Sequence, residues 1–113
     1  MSGGERILIV DDEANMRHML AALLGKEGFR VDTAADGLEA LATIEKNRYD
    51  YILCDVKMPR MDGLAFLREA AELLDQSTVI MMSAYGSIDT ALQAMKAGAY
   101  DFITKPFKPD EVL

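Results

Sequence analysis

Short runs of consecutive apolar residues alternate along the chain with longer stretches in which apolar residues recur every three or four positions. The short runs have the length and the uninterrupted character of parallel strands that are covered on both faces. The run at 29–33 instead alternates apolar and polar residues, which favours a strand at the edge of a sheet. The predicted strands span 7–10, 29–33, 51–54, 79–82 and 100–104.

The longer stretches predict amphipathic helices that pack on these strands. Their apolar stripes comprise Met16, Met19, Leu20, Leu23 and Leu24; Leu38, Leu41 and Ile44; Leu64, Leu67, Ala71 and Leu74; and Ile88, Ala91, Leu92 and Met95. Gly28 and Gly98 stand where a helix can end in a left-handed residue, and Ser87 can cap the fourth helix. A fifth helix is expected to start at Pro109, just before Leu113.

Regular alternation of strands and helices predicts the α/β class, with a five-stranded parallel sheet covered by helices on both faces. Right-handed crossovers leave few topologies, and strand order 2-1-3-4-5 places the first and third strands side by side. Ligands of such sheets bind at the carboxyl ends of the strands. With 113 residues, the chain is predicted to form one domain, 1–113.

Polar residues follow four of the five predicted strands at this edge. They are Asp11, Asp12 and Glu13 after strand one, Asp55 after strand three, Ser83 after strand four and Lys105 after strand five. Each of them alone can be explained as a helix cap or a turn residue. As a group they converge on one small volume, which favours a shared chemical role.

Three carboxylates in that volume repel one another, by about 4 kcal/mol per pair at a separation of ~4 Å and an effective dielectric constant of about 20. Lys105 supplies one compensating charge, and Mg²⁺ fits as the second because it binds oxygen ligands while retaining waters and phosphate oxygens. A carboxylate screened in this way can attack a phosphoryl group, with Lys105 and Ser83 holding the phosphoryl oxygens. The chain contains no phosphate-cradling glycine motif, which weakens a nucleotide-binding interpretation.

Composition restricts the partners. The chain has 19 acidic and 12 basic residues and a net charge of −7, which argues against direct nucleic-acid binding through bulk electrostatics. No apolar stretch approaches the ~20 residues that span a bilayer, and there is no signal-peptide core. The single cysteine, Cys54, is expected in the core, and the single histidine, His18, on the surface. These features predict a cytoplasmic protein without a membrane anchor.

The motifs resemble those of receiver domains from bacterial two-component response regulators, which have the flavodoxin-like fold. The matching segments are Val10-Asp11-Asp12-Glu13, Cys54-Asp55-Val56-Lys57-Met58-Pro59, Met61-Asp62-Gly63, Met82-Ser83-Ala84-Tyr85 and Lys105-Pro106-Phe107. Segments 83–87 and 97–102 further resemble the receivers of NtrC-family, σ54-dependent transcription activators. The resemblance covers essentially all of the chain after Glu5.

This resemblance implies that Asp55 is the phosphoacceptor and that Asp11, Asp12, Asp55 and the backbone carbonyl of Lys57 hold Mg²⁺. Its further implications concern residues around this centre: Ser83 as the switching hydroxyl, Lys105 as the phosphoryl-binding cation before a cis bond to Pro106, Phe102 as the aromatic switch, and Lys57 and Tyr85 as side chains that tune phosphoryl loss. Turn chemistry makes Pro59 and Gly63 loop-shaping residues. The predicted output surface is helix four with strand five, including Ala94, Met95, Ala99 and Phe102; core packing explains its apolar residues equally well.

The function implied is a signalling switch that accepts a phosphoryl group from a sensor histidine kinase and controls an effector, expected to be an AAA+ and DNA-binding part of a longer regulator. The implied function is also compatible with a homodimer of this domain. Such a domain is not an enzyme with a separate substrate, although it would catalyse its own phosphorylation and dephosphorylation. Two alternatives remain open. One is a Mg²⁺-dependent aspartyl-phosphate phosphatase, which is disfavoured because haloacid-dehalogenase-type hydrolases have a second acid where this chain has Lys57. The other is a stand-alone receiver or adaptor.

The expected fifth helix generates a stability prediction. In this fold it would share a sheet face with helix one, so a chain without it exposes apolar surface there. We therefore expect that extending the chain beyond Leu113 with the residues that follow in its gene raises the Tm, measured by thermal unfolding. An unchanged Tm would mean that this face is closed in another way.

Overall fold

The structure, a computed structural model, describes residues 4–83 and 88–104. Its elements alternate strictly between strand and helix: β1 (Arg6–Val10), α1 (Ala14–Lys26), β2 (Arg30–Ala34), α2 (Gly37–Lys46), β3 (Tyr51–Asp55), α3 (Gly63–Glu69), β4 (Thr78–Ser83), α4 (Ile88–Lys96) and β5 (Asp101–Thr104). The predicted cap at Ser87 and the predicted helix start at Pro109 lie outside the described residues.

The strands form one parallel sheet in the order β2-β1-β3-β4-β5, which confirms the predicted class and topology. The register pairs Val10 with Cys54 and Asp55 with Met82, so the carboxyl ends of the three central strands are level with one another. β2 lies at the edge and is the most exposed of the first four strands, as its alternating sequence predicts. The chain therefore delivers the ends of β1, β3 and β4 to one short stretch of sheet edge.

Two apolar layers sandwich the sheet. On one face, side chains of β1, β3 and β4 pack against α2, α3 and α4, with Phe66 fully buried at the centre. On the other face, a smaller cluster packs against α1 through Leu20 and Leu24. Burying a side chain of this size stabilises the fold by about 1.5–3 kcal/mol. Because both faces of β1 and β3 are covered, the middle of the sheet is closely packed.

The ends of two helices confirm the predicted glycine caps. Gly28 and Gly98 have φ angles of +97° and +112°, a region that costs other residues energy. Phe29 N–H donates to the Leu24 carbonyl at 3.2 Å and so closes α1. Ala99 N–H donates to the Ala94 carbonyl at 3.0 Å and closes α4 in the same way.

The third helix is shorter than its apolar stripe predicts. α3 ends at Glu69 instead of continuing to Leu74, because the backbone bonds tighten there. Leu73 N–H donates to the Ala70 carbonyl at 2.8 Å, an i−3 bond rather than the helical i−4 bond. Ala70 still makes the helical bond to the Phe66 carbonyl at 2.9 Å and lies in the core with Leu74, whereas Ala71 is exposed.

Four further stripe positions are wrong as core residues, two of them, Leu92 and Met95, in α4. Met19 of α1 and Leu38 of α2 are exposed, although both fall within the predicted apolar stripes. In α2 the buried positions are Gly37, Ala40 and Ile44, so the contact face is rotated toward small residues that let the helix approach the sheet closely. Hydrophobic period alone does not distinguish these neighbouring positions on a helix.

Near the amino ends of β1 and β3, a buried tyrosine anchors β2 to the start of β3. Tyr49 is 2% exposed, and its hydroxyl donates to Asp32 Oδ2 at 2.6 Å. The guanidinium of Arg6 lies 3.2 Å from the same oxygen and 4.9 Å from the centre of the Tyr49 ring. Burial and the hydrogen bond to Asp32 raise the pKa of Tyr49 to about 12.

Removing this hydroxyl is expected to weaken the fold. Because water can partly replace the bond at the half-exposed Asp32, we expect Tyr49→Phe to lower the free energy of unfolding by about 1 kcal/mol in urea titrations. Tyr100→Phe, at a highly exposed tyrosine, is the matched control and should change nothing. Since the folded pKa lies above the unfolded value of about 10, the contribution is complete below pH 10 and disappears as the pH rises toward 12. Equal stability of the two variants would contradict the anchor.

Candidate functional site

Side chains from three adjacent strand ends meet at the carboxyl edge of the sheet. Asp11 follows β1 and is fully buried; Asp55 ends β3 and is 7% exposed; Ser83 ends β4 and is 3% exposed. Asp12, in the turn before α1, is exposed. Carboxylate oxygens of Asp11, Asp12 and Asp55 all lie within 4.8 Å of one another. The structure therefore brings the three predicted acids together.

The backbone on either side of these acids is fixed by bonds that extend the strand ladders. Asp11 N–H donates to the Ala34 carbonyl at 3.1 Å, and Val56 N–H donates to the Met82 carbonyl at 2.9 Å. The acids consequently stand on paired backbone rather than on free loops. This arrangement limits how far the carboxylates can separate to relieve their repulsion.

The turn after β1 uses Asp11 as a local hydrogen-bond acceptor. Its Oδ1 accepts the Glu13 N–H at 3.0 Å, and its backbone carbonyl accepts from Arg17 Nη1 at 2.7 Å. The explanation of Asp11 as a turn residue is thus correct for one of its oxygens, and it accompanies the clustering rather than replacing it. Sequence pattern does not indicate Arg17 as a site residue, since its partner is a backbone atom six residues away.

The third strand approaches the start of α3 so closely that Gly63 is required there. A Cβ at this position would overlap the Asp55 carbonyl oxygen and lie 2.8 Å from Met81 Cε. Gly63 N–H also donates to the Val56 carbonyl at 2.7 Å. Gly63 therefore shapes the loop, as turn chemistry predicts, but it does so through backbone contact rather than through an unusual φ angle.

The thiol next to Asp55 belongs to the core, as predicted. Cys54 is fully buried, and its pKa is raised well above the ordinary value by burial and by the nearby charges of Asp55 and Asp11. Its Sγ donates to the Asp55 carbonyl at 3.4 Å. A thiol in this state is unreactive.

The oxygens that meet at this edge suit a hard divalent cation. All three side-chain donors are carboxylates, and two of them are buried, where an uncompensated charge is costly. Carboxylate oxygens that leave room for waters match Mg²⁺ better than softer metals. The donor set therefore fits the predicted magnesium ion.

Of the remaining predicted residues, some lie within the described residues and others lie outside them. Phe102 is partly buried on β5 and pairs in register with Met81, and the side chain of Lys57 is exposed in the loop after β3. Lys105, Pro106 and Tyr85 lie outside the described residues. His18 is exposed, as predicted.

The predicted output surface needs a correction. Ala94 and Ala99 are buried and belong to the core, because α4 packs its small residues against the sheet. The exposed apolar side chains of this region are instead Leu92 (53%), Met95 (45%) and Tyr100 (72%). Only Met95 and the partly buried Phe102 remain from the predicted set.

Comparison with known proteins assigns the family. The chain matches the family described as “Response regulator receiver domain” over residues 7–113. The chain belongs to this family. Receiver domains are the phosphoryl-accepting parts of two-component systems, and they bind Mg²⁺ at an acidic pocket such as the one formed here by the three aspartates.

The receiver domain is similar to proteins of different lengths. It is 41% identical over 113 residues to the transcriptional regulatory protein ZraR of Klebsiella oxytoca, covering 99% of this chain and 26% of ZraR. It is 43% identical over 109 residues to the chemotaxis protein CheY of Bacillus subtilis, covering 96% of this chain and 91% of CheY. The chain thus spans about a quarter of the length of ZraR but most of CheY. The similarity to ZraR agrees with the NtrC-family resemblance.

A solved structure confirms the fold. A chain of the CheX-CheY-BeF3-Mg²⁺ complex from Borrelia burgdorferi superposes on the receiver domain with a TM-score of 0.91 at 35% identity, over 96% of this chain and 83% of that chain.

Within the part of the receiver domain that the structure describes, no helix is both long and apolar enough to cross a membrane.

The crowding of the acids generates a stability prediction. Asp11→Asn keeps the amide oxygen that can accept the Glu13 N–H but removes one buried charge from the cluster. In metal-free buffer with a chelator, we expect the free energy of unfolding to rise by about 1 kcal/mol, a fraction of the gross repulsion of ~4 kcal/mol per pair. Urea titration measures it, with Asp75→Asn at an exposed position as the control. A less stable Asp11→Asn variant would show that the repulsion is already compensated.

Proposed function

We propose that this receiver domain is a cytoplasmic phosphoryl-accepting switch in which Asp55 takes the phosphoryl group from the phosphohistidine of a sensor histidine kinase. The observation that supports this role best is the position of Asp55, at the end of β3 and between β1 and β4. From there its carboxylate lies within 4.8 Å of the carboxylates of Asp11 and Asp12 while it keeps a small exposed fraction. Because the histidine kinase supplies the phosphoryl group, the domain needs no nucleotide-binding site of its own.

The chemistry would proceed by in-line displacement. An Asp55 carboxylate oxygen forms the new bond to phosphorus while the bond from phosphorus to the histidine nitrogen breaks, and the released imidazole keeps the electron pair and takes a proton from solvent. Asp11, Asp12, Asp55 and the Lys57 backbone carbonyl would hold Mg²⁺, which when bound neutralises charge on the acids and on the phosphoryl oxygens. Lys105 and the Ser83 hydroxyl would bind the remaining oxygens. The domain is accordingly a reactant that promotes its own phosphorylation and dephosphorylation, not an enzyme with a separate substrate.

The conformational response would run through β4 and β5. Ser83 ends β4 and pairs with Thr104 of β5, and Phe102 pairs with Met81 on the same two strands. A phosphoryl group that binds the Ser83 hydroxyl favours the conformer in which that contact is made, and Phe102 would respond by changing its burial. Without a hydroxyl, Phe102 cannot add a hydrogen bond to either state.

The exposed apolar side chains Leu92, Met95 and Tyr100 would form the surface that a phosphorylated domain presents to its effector. The similarity to ZraR supports an effector that regulates transcription, with AAA+ and DNA-binding parts in the same longer chain, and a homodimer of receivers is compatible with it. The receiver domain itself would not contact nucleic acid, given its net charge of −7.

Labelling with a small phosphoryl donor tests the proposal. Incubation with acetyl phosphate and Mg²⁺ should add one phosphoryl group to the wild type in intact-mass spectra, and omitting Mg²⁺ should lower the extent at least tenfold. Asp55→Ala should abolish labelling, because no other carboxylate occupies its place in the cluster. The matched control Asp75→Ala, in the turns after α3, should label like the wild type.

Two outcomes would sink the proposal: no labelling of the wild type, or undiminished labelling of Asp55→Ala. Steady turnover of small phosphate esters would instead favour the phosphatase alternative. Adding the purified kinase then tests the donor, since transfer from its phosphohistidine should label the same residue.

A further inference from the structure

The loop from Val56 to Asp62, between β3 and α3, is closed at its base. Val56 N–H donates to the Met82 carbonyl at 2.9 Å, and Gly63 N–H donates back to the Val56 carbonyl at 2.7 Å. Asp62 caps α3 by accepting the Ala65 N–H at 2.8 Å. Both ends of the loop are therefore fixed to the sheet edge and to α3, and Lys57 lies just inside one of them.

The tip of this loop is tied to the start of α2. Gly37 N–H donates to the Met61 carbonyl at 3.0 Å, and the two segments touch so closely that a Cβ on Gly37 would come within 2.7 Å of Met61 Cγ. Next to this contact, Asp36 Oδ2 accepts from Arg60 Nε at 2.7 Å and lies 2.7 Å from Arg60 Nη2. A main-chain hydrogen bond and an ion pair, side by side, thus hold the loop tip against the start of α2.

The Asp36 side chain of this ion pair is buried and held in place by a second hydrogen bond. The Asp36 side chain is 8% exposed, and its Oδ1 caps α2 by accepting the Glu39 N–H at 2.9 Å. That backbone bond, together with the Arg60 guanidinium, lowers the pKa of Asp36, so the carboxylate is charged at neutral pH. One carboxylate therefore fixes both the helix start and the loop tip.

Arg60 also holds a backbone conformation that favours glycine. Of the described residues, it is the one non-glycine residue with a positive φ, at +66°. Side chains other than glycine adopt this region at a cost, and they keep it where surrounding contacts determine it. The turn is closed by the Met61 N–H, which donates to the Pro59 carbonyl at 2.8 Å across Arg60, and the ion pair with Asp36 holds the Arg60 side chain.

From these contacts we propose that Asp36 and Arg60 form a latch that positions the 56–62 loop for divalent-cation binding at the acidic site. The inference rests on the proposed function in one respect, the use of the Lys57 carbonyl as a metal ligand. Mg²⁺ demands near-ideal octahedral geometry, so a carbonyl on a loop serves it only when the loop is held still. Asp36 and Arg60 are positioning residues, and neither belongs to the metal ligands.

The sign of the effect separates the latch from simple electrostatics. Arg60 carries a positive charge, so its removal would strengthen Mg²⁺ binding if only long-range Coulomb forces acted. If the latch positions the loop, the same substitution weakens binding. Asp36→Asn removes the charge of the anchor but keeps the helix cap, because Asn and Asp are equally good at that position.

Isothermal titration with Mg²⁺ tests the latch. We expect Arg60→Ala and Asp36→Asn each to raise the Mg²⁺ Kd about fivefold, and the double variant to be no weaker than Arg60→Ala alone, since both remove one interaction. Arg60→Gly relieves the positive φ without rebuilding the ion pair, so it should recover less than half of the lost affinity. Arg48→Ala, at an exposed arginine between α2 and β3, controls for loss of one positive charge and should not weaken binding.

Labelling with acetyl phosphate gives a second measurement. Arg60→Ala should raise the Mg²⁺ concentration at half-maximal rate and leave the rate at saturating Mg²⁺ within twofold of the wild type. Circular dichroism and thermal unfolding establish that each variant is folded. The latch is overturned if the wild type binds Mg²⁺ and is labelled at Asp55 while Arg60→Ala binds Mg²⁺ equally well or more tightly, or if Arg60→Gly recovers fully. Failure of the wild type to be labelled would instead contradict the proposed function.

Discussion

Mutual repulsion among three carboxylates at one sheet edge is the constraint on which the rest of this receiver domain depends. Asp11 and Asp55 are buried, and with Asp12 they place oxygens within 4.8 Å of one another. Such a cluster persists only where the backbone beneath it cannot relax. β1 and β3 supply that backbone, because both are flanked by strands and covered on both faces. The packed core thus supplies the backbone that holds these like charges close together.

The site combines positions held by the sheet with positions held by side chains. Asp55 and Ser83 end strands, so ladder hydrogen bonds place them. Asp12 and Lys57 lie in the turns that follow, where no ladder reaches. Arg17 bonds to the Asp11 carbonyl beside the first turn, and the Asp36–Arg60 pair binds the tip of the second. Both loops that flank the acids are therefore anchored by an arginine from outside the acidic cluster.

Much of the fold and the centre of the site could be predicted from the sequence because both follow from short-range pattern. Uninterrupted apolar runs located the strands, and the rule that ligands bind at strand ends brought Asp11, Asp55 and Ser83 together. The end of α3 could not be located, since the tighter winding after Ala70 leaves the spacing of Leu67 and Leu74 looking helical. For Ala94 and Ala99 the sequence predicts output surface and core equally well, because period and residue type do not reveal how closely α4 packs.

The Asp36–Arg60 contact could be predicted from the sequence only in part. Asp36 and Glu39 have the spacing of a capping box, and this spacing indicates the start of a helix. The partner, Arg60, lies 24 residues away in a turn where its φ is positive, and no local pattern indicates that turn. Residues that face a ligand are restricted in type by its chemistry, whereas residues that hold a loop need only reach an anchor. Positioning groups can therefore differ in identity while the same three carboxylates are held in place, and they become visible only when the chain is folded.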